Sequence, residues 1–271
     1  MKGKSELRRG DEEPGPESGL LRIYGRHPVL MALRAHRVRR LWIAPRAHGE
    51  SIQEIGRLAS EQALAVQRLN GSHFSKKEES GEVHQGVVAT ATMPSPRHDL
   101  EAFVAEALNR NEWALFLILD GVEDPQNFGA IFRTAECAGV NAVIVAARRR
   151  APLSSVTVKA SAGAVFSVPF VEVGNLHQAV RFLKEKGIWV VAAAGEGEAN
   201  YGDFDWRRPV ALIMGAEGRG VSHLLKQAAD VQVSIPLSGT VESLNVSVAT
   251  GVLLFECTRQ RRWAGGHGTG G

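Results

Sequence analysis

Five polar residues of this chain stand where a fold could gather them for chemistry. Asn127 and Arg133 lie six residues apart in LILDGVEDPQNFGAIFR (117–133). Glu217 sits in LIMGAEGRGVS (212–222), and Ser243 and Asn245 sit in VSIPLSGTVESLNVSVATG (233–251). Each segment runs from a strand-like apolar stretch straight into a loop of small or polar residues. Such loops, at the carboxyl ends of parallel strands, form ligand-holding crevices. A carboxylate there can hold an arginine or a ligand hydroxyl by a charge-assisted hydrogen bond. Gly215 and Gly218 let backbone approach a ligand closely. Taken singly, each residue has a plainer account. Asn127 would cap a helix beginning near Phe128, and Arg133 would solvate that helix's outer face. Glu217 would be a turn carboxylate, and Ser243 or Asn245 an N-cap.

The elements that must position these residues are legible as apolar periodicity. From Trp113 onward, Val-, Ile- and Leu-rich runs at 114–119, 142–147, 168–173, 188–193, 210–214 and 231–235 predict strands. Helical patterns lie between most of them, as at 176–186, which stops at Gly187. That alternation predicts βαβ units and a largely parallel sheet. In the first helix, Ile131, Ala135 and Ala138 would face the core. Residues 20–95 read as a separate small α/β unit, with strands near 21–24, 39–44, 65–69 and 86–92. A helix opened by Pro28 and another over 51–62 lie between them. Residues 96–112 read as a linker that includes the helical pattern DLEAFVAEAL. The last helix is expected over 245–262. Residues 1–19 and 264–271 are polar or glycine-rich and read as a disordered and a flexible tail.

Composition narrows the function classes. At 271 residues and 44% hydrophobic content the chain can bury a substantial core. No apolar run approaches the roughly 18 residues of a membrane span, and no secretory pattern opens the sequence. Cys137 and Cys257 lack metal-ligand spacing and read as buried thiols in a reducing, cytoplasmic setting. Neither a phosphate loop nor a G-x-G-x-x-G turn is present, and the nine His show no metal spacing. The net charge of +3 is uneven: residues 20–95 carry eleven Lys and Arg against six Asp and Glu. A basic unit beside a near-neutral one fits a polyanion partner, namely nucleic acid, and equally an ordinary solvated surface. Arg34, Arg37, Arg39, Arg40, Arg46, Lys76 and Lys77 are the candidate phosphate contacts.

Together the three segments resemble the SpoU/TrmH family of RNA ribose 2′-O-methyltransferases, in the knotted SPOUT superfamily. NFGAIFRTAE, IMGAEGRGVS and IPLSGTVESLNVSVATG match its three motifs in order and separation. YGRHPVLMAL and VHQGVVATAT, in residues 20–95, resemble its ribosomal-protein-like substrate-binding domain. The likeness is strongest to the bacterial enzymes that methylate a guanosine in the peptidyl-transferase region of 23S ribosomal RNA. A transfer RNA guanosine methyltransferase and a non-catalytic ribosome-assembly protein are the alternatives.

The resemblance implies a trefoil-knotted domain over 113–263, homodimeric through that domain, and a catalytic set of Asn127, Arg133, Glu217, Ser243 and Asn245. In that set Glu217 would hydrogen-bond with Arg133. It also implies an S-adenosylmethionine pocket lined by Gly195, Met214, Gly215, Ile235, Leu237 and Leu244, with no metal.

Overall fold

The computed structural model describes residues 19–68 and 84–264. The two expected tails, apart from Gly19 and Ala264, lie outside them.

The first unit is built on a four-stranded sheet. Its strands are β1 (Leu20–Tyr24), β2 (Val38–Ile43), β3 (Val66–Arg68) and β4 (Val87–Thr92), in the order β1-β4-β2-β3. β4 runs antiparallel to both neighbours, and β3 joins β2 in parallel. Helices α1 (Arg26–Arg34) and α2 (Glu50–Glu61) pack together. Their apolar spacing accounts for this: Val29, Leu30 and Leu33 of α1, and Ile55 and Ala59 of α2, are buried.

The second unit is a seven-stranded parallel sheet in the order β7-β6-β5-β10-β8-β11-β9. The strands are β5 (Leu115–Asp120), β6 (Ala142–Ala146), β7 (Phe170–Val173), β8 (Trp189–Ala193), β9 (Ala199–Asn200), β10 (Val210–Gly215) and β11 (Val231–Ser234). β5 and β10 are central and covered on both faces, so they read as continuous apolar runs rather than alternating ones. All six residues of β10 are buried. Around the sheet lie α3 (Leu100–Arg110), α4 (Pro125–Cys137), α5 (Ser155–Ala160), α6 (Leu176–Glu185), α7 (His223–Ala228) and α8 (Val246–Ala264).

Helix α3 occupies most of the stretch expected to be a linker. Its Phe103, Val104 and Ala107 join the same apolar cluster as Phe116 and Ile118 of the parallel sheet. Just before it, Arg97 exchanges backbone bonds with Phe170 and Glu172 (3.0 and 2.8 Å), strapping the segment to the β7 edge. The stretch is therefore part of the sheet's cover. The two units also share core. One cluster runs from Ile23, Val29 and Leu33 to Leu117, Phe128 and Val158. Close backbone approach fixes this junction: α5 packs on β1, and a Cβ on Gly163 would come within 2.8 Å of the Pro28 Cα.

Arg261 and Gln260 tie down the C-terminal helix, Gln260 by bonds to Trp206 N–H (3.0 Å) and the Phe204 carbonyl (3.1 Å). Arg261 donates to the carbonyl oxygens of Trp113 (2.6 Å), Arg208 (2.8 Å) and Trp206 (3.0 Å). Among the described residues no carboxylate pairs with it; three backbone dipoles hold the charge, and burial pulls the guanidinium below its ordinary pKa. One of the two cysteines departs from the expectation. Cys257 is buried on α8, whereas Cys137 is exposed at the end of α4. Its apolar sequence neighbours Ala135 and Ala138 lie on other sides of the helix, about 100° apart per residue. Among the described residues no helix is long and apolar enough to cross a membrane.

Candidate active site

Strand β5 ends at Asp120, and the chain turns through Gly121 (φ 76°) toward α4. The helix starts earlier than its sequence suggests. Asp124, not Asn127, is the N-cap: its Oδ1 accepts from the Asn127 backbone N–H at 2.7 Å, with Pro125 at the first helical position. This releases the Asn127 side chain from capping. It projects from the first turn toward the ends of β10 and α8.

There it meets two residues from the other motifs. Asn245 Nδ2 donates to Asn127 Oδ1 at 2.9 Å and to Glu217 Oε1 at 3.0 Å. Asn127 Nδ2 donates to Glu217 Oε2 at 3.2 Å. The three side chains close a ring in which each touches the other two. Asn245 also caps α8, its Oδ1 accepting from the Ser247 backbone at 2.9 Å and the Ser247 hydroxyl at 2.6 Å. Every polar atom of the Asn245 amide is thus engaged, so neither of its ends can turn away without loss.

The loop carrying Glu217 is held independently. Asp120 Oδ2 accepts from the Ser222 N–H at 2.8 Å, tying the loop after β10 to the end of β5. Ala216 and Gly220 pair across the loop. Gly215 fits only as glycine, since a Cβ there would lie 1.9 Å from the Gly220 carbonyl carbon. Sequence reading passed over the roles of Asp120 and Asp124. The Asp-Pro pair at 124–125 was the available helix-start signal. Nothing local marks Asp120, whose partner is 102 residues away.

Arg133 and Ser243 stand apart from the ring. Glu217 accepts from both asparagines, and the expected Glu217–Arg133 bond is not formed. Six residues along a helix turn Arg133 through 600°, which leaves it about 120° from Asn127. Arg133 is exposed and has no hydrogen-bond or ion-pair partner among the described residues. Ser243 is likewise exposed just before α8, without a partner among them.

Five of the six residues expected around the cofactor sit at the ends of three strands, and the sixth precedes the last helix. Gly195 follows β8, Met214 and Gly215 end β10, Ile235 and Leu237 follow β11, and Leu244 precedes α8. β10, β8 and β11 are neighbours in that order, so these ends lie side by side. Leu237 and Leu244 leave 42% and 38% of their surface open. A Cβ on Gly195 would meet nothing within 4 Å. Open apolar side chains beside free space at a sheet's carboxyl edge fit a ligand with an adenine face and an aliphatic sulfonium arm. Gly195, Ile235, Leu237 and Leu244 would hold S-adenosylmethionine through exposed atoms; Met214 and Gly215 are buried.

Two comparisons with known proteins bear on this arrangement. Residues 114–255 match the SpoU rRNA Methylase family, and residues 22–97 match the family described as RNA 2′-O ribose methyltransferase substrate binding. The chain belongs to the SpoU rRNA methylase family. It is therefore an enzyme.

Among relatives of this SpoU methylase, the 23S rRNA (guanosine-2′-O-)-methyltransferase RlmB of Pseudomonas syringae pv. tomato is 42% identical, over 90% of this chain and 97% of that protein. The protein of the same name from Escherichia coli K12 is 38% identical, over 88% and 98%. The structure is similar to that of the SpoU methyltransferase AviRb from Streptomyces viridochromogenes in complex with AdoMet. The TM-score is 0.71 at 26% identity, covering 90% of this chain and 91% of that one.

Of the expected RNA contacts, Arg34 is occupied by Glu54 at 2.7 Å, and that bond holds the Glu54 carboxyl below its ordinary pKa. Arg39 and Arg46 are exposed, with no ion pair among the described residues; Arg37 and Arg40 are half-buried. Arg39 lies where β2 shifts register between Val38 and Arg40, an irregularity that re-aims side chains. Lys76 and Lys77 lie outside the described residues.

Proposed function

We infer that this chain transfers a methyl group from S-adenosylmethionine to a ribose 2′-hydroxyl, that of a guanosine in the peptidyl-transferase region of 23S ribosomal RNA. The observation that carries the reading is the Asn127–Glu217–Asn245 ring, which joins three sequence-distant motifs beside the pocket edge. The relatives' names support the guanosine and the large-subunit RNA. When bound, S-adenosylmethionine supplies a methyl group on a positively charged sulfur.

The chain's own residues supply position. The ring fixes the Asn127 and Glu217 side chains, so a ribose held against them pays little further ordering cost. Arg133, exposed and without an ion-pair partner among the described residues, orients the ribose or an adjacent phosphate through its planar fork of donors. Ser243 orders the loop between pocket and substrate. Residues 20–95 serve as the RNA-binding unit, with Arg39 and Arg46 on phosphates, and residues 113–263 as the catalytic one. The placement of the late strand β10 between β5 and β8 supports a trefoil knot. Val248 and Phe255, seven residues apart on α8, are 52% and 50% exposed; this apolar stripe supports a homodimer through the knotted domain. The setting proposed is cytoplasmic.

The test is transfer of radiolabelled methyl from S-adenosylmethionine to undermethylated ribosomal RNA, mapped by resistance to alkaline cleavage, with Arg133→Ala as control. Label at one 2′-oxygen of the large-subunit RNA, lost in the variant, is the expected result. Label on transfer RNA would overturn the substrate, and no label on free RNA or immature particles would overturn the catalytic reading.

A further inference from the structure

A second cavity lies where the two units meet. It measures about 390 Å³ and is lined by Tyr24 from the end of β1, Gln126 from the first turn of α4, and Ser155, Val156 and Lys159 of α5. This volume falls within the roughly 300–1,000 Å³ range of small-ligand sites. Its walls are fixed. A Cβ on Gly129 would come within 2.6 Å of the Thr157 carbonyl oxygen and the Ala160 Cβ, so α4 and α5 touch backbone to backbone. Tyr24 is packed beside Trp42 and Val88, which holds its ring in place.

Three polar side chains of this cavity stay available. Gln126, Ser155 and Lys159 have no side-chain hydrogen-bond or ion-pair partner among the described residues. Val156, an aliphatic side chain 46% exposed, lies among them. An aromatic ring, an amide, a hydroxyl, an ammonium and an aliphatic wall together match one class of ligand. Unpaired RNA bases are recognised by stacking on aromatic side chains and by hydrogen bonds to their edges, with lysine on the phosphate. Position agrees with chemistry. Gln126 lines the cavity, and Asn127, its neighbour about 3.8 Å along the chain, belongs to the ring. The two side chains leave the same first turn of α4 about 100° apart, so one RNA strand could meet both.

We propose that this inter-unit cavity binds the base of a nucleotide flanking the methylated one, with Tyr24 as the stacking platform, Gln126 reading the base edge and Lys159 on the adjoining phosphate. The site rests on the function proposed above and adds to it a determinant of RNA sequence preference. It also gives the docking of the two units a purpose: the cavity exists only when β1 is seated on α5.

The experiment uses the full chain and a synthetic RNA spanning the methylated guanosine, with an abasic nucleotide placed at each flanking position in turn. One abasic position is expected to lower kcat/KM by about tenfold, the scale of losing one stacked base. Gln126→Ala and Lys159→Gln, exposed positions whose side chains the fold does not use, are expected to lower kcat/KM on intact RNA while S-adenosylmethionine affinity is unchanged. Tyr24→Leu is expected to cost about as much as the abasic step. Combining Tyr24→Leu or Gln126→Ala with that abasic RNA is expected to cost no more than either change alone, because both remove one interaction. Penalties that simply add, or full activity at every abasic position, would overturn the site while leaving the methyltransferase reading intact. Failure of the wild-type chain to methylate the intact RNA, or immature ribosomal particles, would overturn both.

Discussion

Asn245 donates a hydrogen bond to Asn127 across 118 residues of sequence, at 2.9 Å. The same amide caps α8 through its oxygen. One side chain thus fixes the last helix and closes the ring with Asn127 and Glu217. Asn245→Ala is expected to remove both, costing stability of about 1–2 kcal/mol from the lost cap and abolishing measurable methyl transfer. Asn245→Asp keeps a capping oxygen but sets a second carboxylate against Glu217. It should retain more of the melting temperature than the alanine variant and still be inactive. Thermal melts paired with methyl-transfer assays separate the two roles; equal melting temperatures for the two variants would argue against the cap.

Arg133 makes the opposite prediction. Being exposed and without a partner among the described residues, it contributes little to folding. Arg133→Ala should leave the melting temperature within about 1–2 °C, since surface changes of this kind stay within roughly 0.5 kcal/mol. Methyl transfer should fall by about a hundredfold or more, the scale of lost orientation. A large drop in melting temperature would show that the side chain is structural.

Arg261 carries no expected role in catalysis but a large one in folding. Replacing it with Met keeps much of the stem and strips the carbonyls of Trp113, Trp206 and Arg208 of their donors. Hydrogen bonds to a charged group are worth about 1.5–3 kcal/mol each, and removing the buried charge offsets part of the loss. A net destabilisation of about 2–4 kcal/mol is expected in urea unfolding, with S-adenosylmethionine affinity retained below the transition.

The cysteines offer a test by pH. Burial pushes the Cys257 thiol up to about 11 from its ordinary 9.0. In the unfolded chain the thiol gives up its proton near pH 9, while in the fold it keeps it. Between these values the unfolded state binds fewer protons, so stability falls as pH rises from 9 to 11. The loss is bounded at roughly 3 kcal/mol, and Cys257→Ala should flatten that part of the curve. At neutral pH a thiol reagent should label the exposed Cys137 and reach Cys257 only on unfolding. Prompt labelling of both thiols in the native protein would contradict the buried position.

The motif residues were legible in the sequence because each segment couples an apolar strand to a polar loop, a pattern that survives without knowledge of partners. The strands β5, β6, β8 and β10 follow from the same runs. What could not be read there depends on angle and on distance. Asn127 looked like a cap because its type suits one; only the Asp124 geometry frees it. Glu217 looked like a partner for Arg133 because opposite charges attract, yet the helix turns Arg133 away and two amides take the carboxylate. Cys137 looked buried because its neighbours are apolar, although one residue step along a helix changes face. The inter-unit cavity leaves no local signature, since Tyr24 and Lys159 meet only after β1 docks on α5.

The arrangement also sets an order in time. Glu217 and Asn245 leave the ribosome long after Asn127, and Arg261 follows them. A nascent chain halted before residue 245 carries the first two motifs, but its ring is open and the carbonyls of Trp113, Trp206 and Arg208 lack their cation. On the proposed reading, methyl transfer therefore waits on residue 245 and on the helix that it caps.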